Sequence, residues 1–181
     1  MALMIDSEQL PVPGARAGVP DAWNLLFRRY QLPLYTYVVE LVHDEQASQD
    51  IVQETFINAA QHIARLRDDA KFGSWLFGIA HQKCIQRWRR RFPDSVPLDE
   101  IAPWLPIEED SPDDWLIRRE DEEHFMKCLD HLTPTHRAVL LLHFIEDFSL
   151  DEIARITGVE LGTVKSRLHY AKKSLRQRLE N

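Results

Sequence analysis

Cysteine and glycine are scarce in this chain. Among its 181 residues there are 2 cysteines, Cys84 and Cys128, and 6 glycines. Two thiols are too few for a disulfide framework and are expected to stay reduced. So few glycines, with few alternating β-branched runs, disfavour an all-β sandwich built on glycine turns. No run approaches the roughly eighteen uninterrupted apolar residues that mark a membrane span, so no membrane insertion is expected. The opening MALMIDSEQL has no basic stretch and carries Asp6 in its short apolar run, so it does not read as a signal peptide. A cytoplasmic protein is the expectation. There is no glycine-rich phosphate loop, nucleophile elbow or frame of paired catalytic acids, so an enzyme is not expected and no cofactor is implied.

What the chain does have is charge, unevenly spread. Its net charge of −7, from 22 basic and 29 acidic groups, argues as an average against a nucleic-acid binder. Residues 1–92 hold 11 basic and 10 acidic groups, residues 93–123 hold 2 and 12, and residues 124–181 hold 9 and 7. All the net acidity therefore sits in a central stretch that also contains Pro93, Pro97, Pro103, Pro106 and Pro112. Proline removes backbone donors and unpaired acids repel one another, which predicts a linker. The expected organisation is all-α. It comprises a flexible N-terminus over 1–19, a helical domain over 20–92, an acidic proline-rich linker over 93–112, and a second helical domain over 113–181.

In the first domain, Pro20-Asp21 opens a helical pattern through Trp23, Leu26, Phe27 and Tyr30, interrupted near Pro33 and resumed at Tyr37 and Leu41. Asp44 is placed to cap a long helix whose core stripe is Val52, Phe56, Ala59, Ile63 and Leu66. Its other face shows Asp50, Gln53, Glu54, Asn58 and Gln61. Ser74 is expected to cap a last helix bearing Trp75, Leu76, Ile79, Ala80 and Trp88 and ending in Arg87, Arg89, Arg90 and Arg91.

The second domain carries sharper punctuation. Residues 115–132 are amphipathic, with Phe125, Leu129 and Leu132 on one side. Thr133-Pro134 supplies a cap followed by proline in the first helical position. Ser149-Leu150-Asp151-Glu152 fits a capping box, and the helix it starts stops at Thr157-Gly158. A further helix from about Gly162 completes a helix-turn-helix, with Ile153, Ala154, Val159, Val164 and Leu168 where the two helices touch. That last helix presents Thr163, Lys165, Ser166, Arg167, His169, Lys172 and Lys173.

The segment LTPTHRAVLLLHFIEDFSLDEIARITGVELGTVKSRLHYAKKSLRQRL resembles the promoter-binding domain of bacterial sigma factors. DEQASQDIVQETFINAAQHI and FGSWLFGIAHQKCIQRWRRR resemble the sigma domain that grips RNA polymerase and opens DNA. With these two domains alone and in this order, the chain is similar to the extracytoplasmic-function class. The resemblance implies that Asp50, Gln53 and Glu54 contact the polymerase β′ coiled coil, with the β subunit and promoter DNA as further partners and an anti-sigma factor as a regulator. It places minus-10 recognition and melting on Lys71, Phe72, Lys83, Arg87, Arg89, Arg90 and Arg91. Under that resemblance the loop from Asp68 to Lys71 is the expected pocket for a flipped base. Phe72 and Trp75 are the candidate aromatic surface for unstacked bases; core packing is the competing role for both, and the favoured one for Trp75, which shares the apolar stripe.

Minus-35 recognition falls on Thr163, Lys165, Ser166, Arg167, His169 and Tyr170. Lys165 or Arg167 is suited to guanine, and Thr163 and Ser166 to phosphate. Many relatives have arginine where this chain has Tyr170, so their minus-35 preference does not transfer. Family linkers run toward the polymerase RNA path, where Asp99, Glu100, Glu108, Glu109 and Asp110 would mimic RNA charge. About twenty extended residues reach roughly 65 to 70 Å.

Two rivals come from other classes. His81, Cys84, His124 and Cys128 supply the ligand types of a tetrahedral zinc site, although pairs on helices are usually packing, and no metal is assigned. A helix-turn-helix regulator that is no polymerase subunit would share the C-terminal domain. The basic, aromatic N-terminal domain argues against it.

Overall fold

Helices make up the regular structure on both sides of the acidic stretch. The computed structural model describes residues 10–91 and 127–179, and no strand occurs among them. The expected linker, its acids, and His124 lie outside the described residues. The chain divides into two compact units, Met1–Ile85 and Gln86–Asn181.

The first unit begins earlier than its composition suggests. Residues 1–19 are expected to be flexible, yet Val12–Arg16 form a short helix, α1, with Val12 and Ala15 buried. Gly18, at φ 80°, turns the chain back, and the Val19 amide donates to the Gly14 carbonyl at 2.9 Å. The Trp23 indole Nε1 donates to the Ala15 carbonyl at 3.0 Å. The helix forms because these partners lie in the next element.

Helix α2 spans Pro20–Val42 without a break, although an interruption near Pro33 is expected. Proline removes one ladder bond from a helix interior. Here Leu26 before it and Leu34, Tyr37, Val38 and Leu41 after it are all buried, and that packing carries the helix through.

Asp44 caps α3, Glu45–His62, its Oδ1 accepting from the Ala47 amide at 3.0 Å. Of the expected stripe, Val52, Phe56 and Ala59 are buried on α3 and Ile63 just past its end, whereas Leu66 is half-buried beyond it; Ala47, Ser48, Ile51 and Thr55 widen the buried face. The Ser48 and Thr55 hydroxyls donate to their own helix at Asp44 O and Ile51 O, both 2.7 Å, which makes their burial tolerable.

Helix α4, Phe72–Arg91, starts two residues before Ser74, which is interior and donates to the Lys71 carbonyl at 3.1 Å. Asp68 caps the preceding turn instead, accepting from the Ala70 amide at 3.0 Å. The buried face of α4 is Phe72, Leu76, Phe77, Ala80, His81 and Cys84, whereas Trp75, Ile79 and Trp88 are half-buried. The stripe is rotated from its expected position because Phe72 and His81 find partners on α2.

In the second unit, α5 is Pro134–Phe144, α6 is Leu150–Thr157 and α7 is Leu161–Leu179. The Thr133 cap, the reciprocal Ser149–Glu152 capping box and the left-handed Gly158, at φ 71°, all form as expected. Val139, Leu140, Leu141 and Leu142 of α5, Ile153 and Ile156 of α6, and Val164, Leu168, Ala171 and Leu175 of α7 form the core.

Glu146, in the turn between α5 and α6, titrates at about 7 rather than near 4.5, because burial disfavours its charge and Asp147 repels it. A carboxyl raised on folding binds its proton more tightly in the folded state. The fold therefore loses stability as pH rises from about 4.5 to about 7. Glu146→Gln is expected to raise the melting temperature by roughly 2–5 °C at pH 8 and hardly at all at pH 4. An equal rise in thermal scans at both pH values would place the gain outside ionisation.

Candidate interfaces for nucleic acid and polymerase

Helix α7 buries Val164, Leu168, Ala171 and Leu175 at helical spacing, which turns the opposite face outward. The six predicted minus-35 residues share this helix but not one position on it. Lys165 is exposed, and Thr163, Ser166, Arg167, His169 and Tyr170 are half-buried. At 100° per residue, Thr163, Arg167 and Tyr170 border the outward face on one side and Lys165 on the other. The Ser166 hydroxyl donates to the Gly162 carbonyl at 3.1 Å. The Tyr170 ring lies 6.4 Å from His136 of α5 and 5.7 Å from His169, so this tyrosine ties α7 to α5 rather than standing clear. Lys172 is drawn over the Phe144 ring at 5.2 Å, which leaves Lys165 and Lys173 as the exposed cations on this part of the helix.

On α3, Asp50, Gln53 and Glu54 all face solvent. Beside them runs an apolar groove that was not foreseen from sequence. Phe27, Leu32 and Tyr35 of α2 and Val52, Gln53, Phe56 and Ile57 of α3 line it. Leu32 is 68% exposed, Ile57 50% and Phe27 43%, unusual values for large apolar side chains placed side by side. The Phe27 and Phe56 rings meet across the floor with centroids 4.9 Å apart, tilted by 59°. The outward positions of Leu32 and Ile57 break the helical stripe, and that break is the signal a sequence reading could have used.

Two predicted minus-10 residues have other duties. Phe72 is fully buried, its ring 5.5 Å from Tyr30, 6.0 Å from Trp75 and 6.5 Å from Trp23, so it is a core residue and not a surface for unstacked bases. Lys83 Nζ donates to Glu54 at 2.8 Å, which joins the expected DNA face to the expected polymerase face. Arg87, Arg90 and Arg91 are exposed and share one face of the end of α4, while Lys71 is half-buried at its start.

Of the four candidate zinc ligands, His81 and Cys84 are both buried on α4, with His81 Nδ1 2.7 Å from the Tyr37 hydroxyl, and burial pushes the Cys84 thiol up to about 12. No group of three or more metal-ligating side chains occurs among the described residues.

Residues 26–92 match the Sigma-70 region 2 family and residues 123–175 the Sigma-70 region 4 family. The chain is 30% identical to the RNA polymerase sigma-H factor of Pseudomonas aeruginosa, over 97% of this chain and 95% of that protein. It is 32% identical to the ECF RNA polymerase sigma factor SigL of Mycobacterium tuberculosis, over 93% and 95%. The chain belongs to the sigma-70 family, in its extracytoplasmic-function class. Region 2 covers the groove and α4, and region 4 covers the helix-turn-helix, so a stand-alone helix-turn-helix regulator is not favoured. Such sigma factors are initiation factors without enzymatic activity. The fold is also that of the sigma factor RpoE of Bartonella quintana, solved with the anti-sigma factor NepR, at a TM-score of 0.64 and 23% identity over 86% and 96% of the two chains. CnrH, solved with the cytosolic domain of CnrY, aligns at 0.68 and 22% over 97% and 98%. No described helix is long and apolar enough to cross a membrane.

Proposed function

We propose that this sigma factor docks on core RNA polymerase through the outer face of α3 and the groove beside it, contacting the β′ coiled coil there and the β subunit elsewhere. Helix α7 enters the major groove at the minus-35 element. The 66–71 loop and the arginines closing α4 engage the minus-10 element and hold it open. The domains correspond to residues 20–92 and 113–181, joined by the acidic linker, whose charge suits an RNA path. The protein works in the cytoplasm, and an anti-sigma factor holds it inactive, in keeping with the fold neighbour RpoE, which was solved with the anti-sigma factor NepR.

One observation carries this reading: exposed Asp50, Gln53 and Glu54 flank a groove of exposed Phe27, Leu32 and Ile57 in a unit separate from the helix-turn-helix. Acids on a rigid helix steer and orient a basic partner, while the apolar floor supplies the burial that makes the contact last. The test joins holoenzyme assembly to transcription. Wild-type protein with core polymerase is expected to give discrete start sites on genomic DNA. Asp50→Lys with Glu54→Lys is expected to weaken assembly by roughly tenfold to a hundredfold, as for charge reversal in a complementary interface. Scattered starts from the wild type, or unchanged affinity in the double variant, would overturn it.

A further inference from the structure

Helix α1 supplies none of the contacts assigned above, yet one of its side chains holds the loop on which minus-10 reading depends. Arg16 Nη2 donates to the Leu66 carbonyl at 3.0 Å and forms a salt bridge with the Asp69 carboxylate. These two points bracket Arg67 and Asp68, both exposed. The loop's own bonds, Ala70 N to Asp68 Oδ1 and Lys71 N to Asp68 O, both 3.0 Å, shape its second half locally. Arg16 ties it across fifty residues of sequence to a helix that is itself fixed. Val12 and Ala15 are buried, Trp23 bonds the Ala15 carbonyl, and Gly14 approaches α2 so closely that a Cβ there would lie 3.1 Å from the Ala22 Cβ.

We infer that Arg16 is a positioning residue for minus-10 recognition, presenting the 66–71 loop to DNA without contacting DNA itself. The inference rests on reading that loop as the minus-10 reader. Charge supports it as well as geometry. Arg67, Asp68, Asp69 and Lys71 sum to zero, and Arg16 brings the group to +1 by neutralising Asp69. A loop that must approach phosphates gains from losing a nearby negative charge. Because the pair is partly exposed, with about a third of each side chain accessible, its loss is expected to disturb the loop and spare the fold.

The test uses the full chain in holoenzyme on a promoter whose start it has itself defined, with permanganate reactivity of unpaired thymines as the reading of opening. Arg16→Ala is expected to lower opening by about three- to tenfold and to flatten the preference among minus-10 base substitutions, as loss of pre-organisation does. Polymerase affinity should stay within about twofold and the melting temperature within about 3 °C. The charge swap Arg16→Asp with Asp69→Arg, which rebuilds the ion pair but not the donor to the Leu66 carbonyl, should recover part of both opening and preference, which a merely structural helix would not do. Lys71→Ala and Asp68→Ala are the controls for the underlying reading. If they impair opening while Arg16→Ala and Asp69→Ala behave as wild type, the positioning role is overturned alone. If none of the four matters, the loop is not the minus-10 reader and both ideas fall. A loss of polymerase affinity or of folding in Arg16→Ala would make α1 a structural element and overturn the inference.

Discussion

Phe72→Ala is expected to lower the melting temperature of the N-terminal unit by roughly 15–30 °C, and promoter opening to fail because that unit no longer folds. The side chain is 0% exposed and meets three rings from two helices, Trp23 and Tyr30 on α2 and Trp75 on its own α4. Truncating a buried phenylalanine costs about 3–5 kcal/mol, a large share of the roughly 5–15 kcal/mol that hold a domain together. A phenylalanine that stacked on bases would behave oppositely: alanine there would leave the melting curve in place and abolish only opening. Phe72→Leu separates the two roles, since it keeps most of the apolar volume but no ring. Core packing predicts that the leucine variant melts within about 10 °C of wild type and opens DNA normally. A stable alanine variant by circular dichroism would return Phe72 to the DNA surface.

The helix-turn-helix was legible in the sequence because its signals are local. Thr133 with Pro134, Ser149 with Glu152, and Gly158 each act within a few residues, and each forms as read. The long α3 was legible for the same reason, through Asp44 and a stripe of constant spacing. Elements held by distant partners were not. Helix α1 depends on burial of Val12 and Ala15 and on Trp23, and α2 passes Pro33 because of what α3 and α4 offer it.

The site divides in the same way. Which helix faces outward at Asp50, Gln53 and Glu54 follows from periodicity, and all three are exposed. What each side chain is bonded to does not follow. Lys83 reads as one more cation of a DNA track, but it pairs with Glu54, twenty-nine residues earlier. His81 reads as a possible ligand, but it meets Tyr37, forty-four residues earlier. Spacing along a helix reports direction, and only the packed structure reports whether a charge is still available.

Arg137 carries this point to its largest consequence. It counts among the nine basic groups behind the weakly positive C-terminal segment, yet it is only 4% exposed. Its Nε donates to the Leu129 carbonyl at 2.9 Å, and its Nη2 to the carbonyls of Asp130 and Leu132 at 2.9 and 3.1 Å. Residues 127–129 are helical and the chain turns after them; the Leu129 carbonyl also accepts from the Leu132 amide at 2.9 Å, so Arg137 is a second donor there and a donor to the Asp130 and Leu132 carbonyls where the helix ends. A cation placed there satisfies them and complements the negative end of the helix. Arg137→Met keeps the stem and removes the donors. Leaving the buried Leu132 carbonyl, and in part that of Asp130, without this donor costs about 1–3 kcal/mol each, so a loss of roughly 2–4 kcal/mol is expected, with a fall of about 8–25 °C in melting temperature for a domain of this size. Arg137→Lys should recover only part of it, because one ammonium cannot reproduce the planar fork. Minus-35 binding should fall only as far as the unfolded fraction grows, and should be near normal at temperatures where the variant is folded. Weakened DNA binding by a fully folded Arg137→Met, judged by circular dichroism beside a DNA titration, would show that this arginine serves the promoter directly.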